Sequence, residues 1–169
     1  MAGEETRGYF LGNAGRAAVK VVTMSGLGRA GADGVDEVSA ADAAGLAILP
    51  GLVRYDEAVR GPIRHAMRVT VRATNGYVWP ASHQAGNTGG ALPMGARLRL
   101  KASKDLSSYP PIVRNIFRGM QTHGLIVADN GTDLYVSGAM DSRWNNDELN
   151  PAFRSLTAND FEVVSLGWR

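Results

Sequence analysis

One stretch constrains the fold of this chain more than any other. Leu92-Pro93-Met94-Gly95 reads as a turn, and Arg97-Leu98-Arg99-Leu100-Lys101 alternates as a half-buried strand should. A helix follows. Pro110 and Pro111 mark its start, where a missing N–H costs little, and Ile112, Val113, Ile116, Phe117 and Met120 form an apolar stripe at helical spacing. Gly124 stops the helix, and the wholly apolar Leu125-Ile126-Val127 reads as a central, buried strand. Asp129-Asn130-Gly131 then turns the chain, exposing a carboxylate, and Leu134-Tyr135-Val136 is expected to pair back. The order turn, strand, helix, strand, turn predicts an α+β domain dominated by strands, with one packed helix at about 111–123. Two architectures remain open: a β-barrel of double-psi type and a β-sandwich.

The flanking segments are less regular. Residues 1–38 are read as a separate, flexible N-terminal segment, and 39–169 as a single mainly-β domain. Ala17 to Val22 suits a strand. The Gly26-Leu27-Gly28-Arg29-Ala30-Gly31 run lacks the glycine spacing of a dinucleotide fingerprint. Ser39 is a plausible N-cap for a short helix through Ala44, ended by Gly45, and Tyr55 to Val59 suits another single helical turn. Ile63 to Val71 alternates clearly: Ile63, His65, Met67, Val69 and Val71 share the face expected to be buried, and Arg64, Arg68 and Arg72 share the other. Tyr77-Val78-Trp79 begins another strand after the Asn75-Gly76 turn, before a polar loop from Ser82. Asp147 to Leu156 is read as helical despite Pro151, and Phe161 to Val164 as a closing strand.

Composition excludes several function classes. Cysteine is absent, which removes disulfides, thiolate metal sites and a cysteine nucleophile. The formal charge of +2 does not call for nucleic acid, and no stretch reaches the roughly 18 apolar residues of a membrane span. No apolar signal core follows the N-terminus, so the chain as written is expected in the cytoplasm unless its native start lies upstream.

Several runs carry a resemblance: Ser39 to Leu46, Ile48 to Glu57, Ile63-Arg64-His65-Ala66, Trp79-Pro80-Ala81-Ser82-His83, Pro93-Met94-Gly95, Val127 to Gly131 with Gly124, and Asp141-Ser142-Arg143-Trp144. Over Ser39 to Phe161 the chain resembles an uncharacterised family of predicted secreted bacterial proteins of actinomycete type. The resemblance implies an extracellular location. Family members have a longer N-terminal part with another histidine-bearing segment, which residues 1–38 do not resemble, so a truncated and inactive member is one reading. The 93–100 and 127–131 runs also resemble double-psi β-barrel domains that bind or cleave glycans. In catalytic members an aspartate in such a turn serves as acid, which here implies Asp129.

Most candidate residues carry a functional reading beside a structural one. Asp129 is either a general acid at the mouth of a cleft or a turn residue bonding its own backbone. Asp141 is the natural second carboxylate for sugar hydrolysis, or a partner for Arg143. His65 is a base, a metal ligand or a core histidine that needs a polar partner. His83 lies in a loop where function concentrates, and with His65 and a carboxylate it offers a metal alternative. His123 suits the helix C-terminus. Trp79 and Trp144, with Tyr109 and Tyr135, offer flat faces to sugar rings, or pack the core. Arg97, Arg99 and Lys101 form a basic stripe for an acidic group, or a solvated face. The expected function is an envelope or extracellular glycan-active protein, with Asp129, Asp141 and His65 catalytic and Trp79, His83, Arg97 and Trp144 binding substrate. No metal or cofactor is assigned. A monomer acting on a polysaccharide is expected, and the rival is a non-catalytic carbohydrate-binding or structural module.

Overall fold

The computed structural model describes residues 20–24, 41–164 and 166. The elements are β1 (Lys20–Met24), α1 (Tyr55–Arg60), β2 (Met67–Val71), β3 (Arg97–Leu100), α2 (Pro111–Thr122), β4 (Leu125–Asn130), β5 (Tyr135–Ala139), α3 (Asn146–Arg154) and β6 (Phe161–Val163). The strands form one mixed sheet in the order β1-β5-β2-β4-β3-β6. β1 runs parallel to β5 and β2 parallel to β4, while β2–β5, β3–β4 and β3–β6 are antiparallel. The domain is therefore α+β with a dominant sheet. Among the described residues β1 and β6 lie at opposite ends of the strand order, so the sheet is open and not the closed barrel that was one expectation.

The strand–helix–strand core follows the sequence expectation. α2 buries Val113, Ile116, Phe117 and Met120, the stripe that the periodicity singles out, and His123 caps its C-terminus. Phe117 meets Tyr109 and Phe153 edge-on, with ring centroids 4.9 and 5.1 Å away. Gly119 seats the helix so close to Ile63 and Met67 that a Cβ there would lie 2.7 Å from side-chain atoms of both. Leu98, Leu100, Val69 and Val127 complete this core. α3 forms across Pro151 because Asn145 caps its start, accepting from the Asp147 N–H, and its buried Leu149 and Phe153 anchor it.

Four local expectations are corrected. β5 does not pair with β4, the strand it follows, but sits between β1 and β2. The predicted helix before Gly45 is a turn over 43–45 within an Ala41–Ala47 bridge, because Asp42 Oδ1 accepts from the Ala44 and Leu46 N–H groups and ties the backbone into a loop. Ser39 and Ala40 lie outside the described residues, as do the glycine run at 26–31 and residues 17–19. Tyr77 joins Met94 by an isolated bridge and begins no strand. The strand expected from Ile63 starts only at Met67, since the carbonyl of Ala66 bonds the His65 ring instead of a neighbouring strand.

Two features position the site. The β2–β4 ladder slips between Val69 and Thr70, leaving Ala128 as an extra residue and pairing Thr70 with Asp129. Such a bulge re-aims the side chains that follow. On the sheet face opposite α2, the 41–53 segment lies across the strands: Ala44 N–H donates to the Ala128 carbonyl, and Val53 pairs beside Gly138.

Candidate functional site

The carboxyl end of β4 gathers the polar groups. Arg68 on β2 is buried beneath the 41–53 segment. Its Nη1 donates to Ser137 Oγ at 2.8 Å, its Nε faces Asp42 Oδ2 at 3.3 Å, and its Nη2 lies 3.9 Å from Asp129 Oδ2. The Asp42 side chain is only 1% exposed. Burial pushes its carboxyl above the ordinary range, and the Leu46 N–H and the Arg68 guanidinium offset part of that. Asp129 is 40% exposed. Its Oδ1 accepts from the Asn130 N–H at 2.8 Å, but both residues lie within β4, paired with Thr70 and Val71, so the turn expected at Asp129 begins only at Gly131.

The loop bearing His83 joins this end of the sheet. Ser82 and His83 both donate their N–H groups to the Ala44 carbonyl, and Ser82 Oγ meets His83 Nδ1 at 2.8 Å. Gly45, at φ +78, lies beneath the pair so tightly that any Cβ would collide with both side chains. Asn130 Nδ2 donates to the Ala85 carbonyl at 3.1 Å. Asn130 Oδ1 and Thr74 Oγ1 are buried with no hydrogen-bond partner among the described residues. Beside this loop, Tyr77 and Trp79 are 52% and 49% exposed, Tyr77 in the isolated bridge to Met94 and Trp79 in the turn that follows. The stretch is fixed by Val78 N–H to the Met94 carbonyl and Met94 N–H to the Gly76 carbonyl, 2.8 and 3.0 Å.

Hydrogen bonds therefore tie the loop bearing His83 and the Trp79 segment to the end of β4 that carries Asp129. The structure places the other expected residues elsewhere. Asp129 shares a row with Thr70 and Tyr135, and Asp141 lies beyond Ala139, four residues further along β5. That separation is about 13 Å of strand before the last two residues are added. Two carboxylates flanking one glycosidic bond stand roughly 5–9.5 Å apart. Asp141 is instead engaged by Arg143, which donates from its backbone N–H, Nε and Nη2. Those bonds pull the Asp141 carboxyl down to about 2. Arg143 also pairs with Asp56 and stacks 4.3 Å over the Tyr55 ring.

His65 is a part-exposed loop residue, not a core histidine on a buried strand face. Its Nε2 lies 3.1 Å from Glu57 Oε2 on α1, and its Nδ1 lies 2.9 Å from the Ala66 carbonyl. Trp144 packs edge-on against Tyr55 at 5.0 Å and donates Nε1–H to the Ala139 carbonyl. It is a packing residue at the α1 end. Arg97 donates to the His123 carbonyl at 3.0 Å, satisfying the end of α2, and burial pulls its guanidinium below its usual value. Arg99 pairs with Glu162 and Lys101 donates to the Asn159 carbonyl, so the basic stripe is bound into the β3–β6 edge. Tyr109 bonds Ser155 while packing on Phe117.

Sequence reasoning missed Asp42 and Arg68. Arg68 alternates with apolar residues, the pattern of a solvated face, and Asp42 sits in an alanine-rich run that imitates a helix. Among the described residues no group of three or more histidine, aspartate or glutamate side chains converges on a metal position, and no helix is long and apolar enough to cross a membrane. No protein-family model, curated protein or solved structure matches this chain.

Proposed function

We propose that the protein is a carbohydrate-binding module acting on an envelope or extracellular glycan. The observation that carries this reading is the pair of half-exposed aromatic rings, Tyr77 and Trp79, in one hydrogen-bonded stretch beside the His83 loop. Exposed aromatic rings offer sugar C–H faces a large contact area, and polar neighbours supply hydrogen bonds that orient the ring. His83, Gln84 and Asn87 are the exposed polar neighbours here. The resemblance to predicted secreted proteins fits the extracellular setting of this reading. Binding is preferred to cleavage because Asp129, on β4, shares a row with the first residue of β5, Tyr135, whereas Asp141 lies past the last, and Asp141 is committed to Arg143.

The test is titration of the full chain against a panel of envelope and plant polysaccharides, reading both binding and reducing-end release. Binding that falls at least tenfold in Trp79→Ala and in Tyr77→Ala, with no release, is the expected result. Release that disappears in Asp129→Asn would replace the module with a glycoside-cleaving enzyme. No binding across the panel would overturn both.

A further inference from the structure

At the end of the sheet remote from Asp129, the 102–107 loop and the exposed side of α2 border an open, solvent-facing cavity of about 380 Å³. Arg114 and Arg118 line it, four residues apart and so on one helix face. Neither guanidinium has an ion pair or side-chain hydrogen bond among the described residues. α2 carries no acidic residue to compensate them. Like charges at this spacing destabilise a helix, so the pair is a cost that the fold alone does not explain. The cavity is built before any ligand arrives: Gln121 Nε2 donates to the carbonyls of Lys101 and Lys104 and ties the loop to the helix. Lys104 Nζ reaches Asp160 at 3.0 Å at the cavity edge, adding a partly screened third cation. The acid in the lining, Asp105, turns its oxygens toward the N–H and hydroxyl of Ser107, at 2.9 and 2.8 Å.

We propose that this cavity binds a doubly charged tetrahedral oxyanion, a phosphate or sulfate group, between Arg114 and Arg118. Guanidinium groups offer planar N–H forks that match such oxygens, and two of them one turn apart neutralise a divalent charge. The site does not depend on the glycan reading, since it lies at the other end of β4.

The experiment is an amide and arginine Nε–H NMR titration of the full chain with sodium sulfate and sodium phosphate, against sodium chloride and sodium acetate at matched ionic strength. Saturable shifts at 102–107 and at the Arg114 and Arg118 side chains are expected for sulfate or phosphate, and the tighter of the two identifies the source. Arg114→Gln and Arg118→Gln should each weaken binding at least fivefold, and Asp105→Asn should tighten it about twofold. Relief of the like-charge pair should leave the glutamine variants folded, which their spectra report. Non-saturating shifts, equal binding of acetate, or saturation unchanged in both glutamine variants would overturn the proposal.

Discussion

Arg68 and Asp42 form an ion pair across the face of the sheet that α2 leaves uncovered, 3.3 Å between Nε and Oδ2, with both side chains almost wholly withdrawn from water. Asp42 is not held at an ordinary acidity by this partner. Its burial outweighs the bonds it accepts, and its carboxyl stays raised. Folding thus leaves Asp42 easier to protonate. Between its unfolded pKa, about 4, and its higher folded value the folded state binds more protons, so this group's contribution to stability falls as pH rises. Arg68→Met leaves the carboxylate buried and unopposed, and is expected to cost about 3–5 kcal/mol at pH 7. The loss should be smaller at pH 5 than at pH 7, since acidification favours protonation of a buried carboxyl whose pKa is raised. Urea unfolding of wild type and variant at both pH values measures it. Equal losses at the two would show that Arg68 is not offsetting the Asp42 charge. Adding Asp42→Asn should recover much of the neutral-pH loss, since the amide can still accept from Ala44 and Leu46.

Asp141 shows the opposite behaviour. Its carboxyl is lowered to about 2 by hydrogen bonds from Arg143, and it is ionised at every pH where a general acid would work. Any stability it gives is present above its unfolded pKa and is lost only as pH falls through its lowered folded value. Arg143→Gln should return its midpoint toward 3.8, read by carbonyl-carbon NMR titration. A midpoint unmoved in the variant would assign the shift to another source and reopen Asp141 as a reacting group.

How legible the chain is depends on how local each determinant is. α2 and its flanking strands are written in adjacent residues: prolines at the start, a stripe at 113, 116, 117 and 120, and Gly124 at φ +75 after the end. The placing of β5 is not local. Tyr135 pairs with Thr70, and no turn length in the sequence encodes a strand that skips its predecessor. His65 follows the alternation of its segment, yet Glu57 on α1 draws it out of the ladder. Arg68 fails for the reverse reason, since a polar face is read as solvent until the 41–53 segment is known to cover it. Asp129 was legible as an accessible carboxylate near the end of this strand but not as a residue of the strand itself, and its Arg68 neighbour depends on a one-residue bulge at Ala128.

Phe117 is the aromatic centre of the core, fully buried between Tyr109 and Phe153. Phe117→Ala removes transfer energy and opens a void that α2 cannot close, because Gly119 already seats the helix against Met67. The expected loss is about 3–5 kcal/mol. In a domain of this size each kcal/mol lowers the melting temperature by about 2–4 °C. Thermal unfolding followed by far-UV circular dichroism measures it. A loss below about 1 kcal/mol would mean that the helix repacks, contrary to the tight seat at Gly119.

Gly95 connects that core to the aromatic platform. It adopts φ +80, its N–H donates to the Val127 carbonyl at 2.8 Å, and a Cβ would strike the Val78 carbonyl while lying 2.9 Å from Ala81. Val78 stands between Tyr77 and Trp79, so the absent side chain lets the platform lie against β4. Gly95→Ala combines a left-handed backbone penalty of about 1–2 kcal/mol with this collision. It is expected to lower stability by at least about 2 kcal/mol and to displace the 77–81 stretch. Two readouts separate these effects: urea unfolding, and the chemical shift of the Trp79 indole N–H in the folded variant. If the platform is the glycan-binding surface, Gly95→Ala should weaken polysaccharide binding even at temperatures where the domain remains folded. Phe117→Leu, which perturbs the core without touching Val78, should leave binding intact under the same conditions. Equal weakening by both variants would mean that binding follows global stability, and the link from Gly95 through Val78 to Tyr77 and Trp79 would fail.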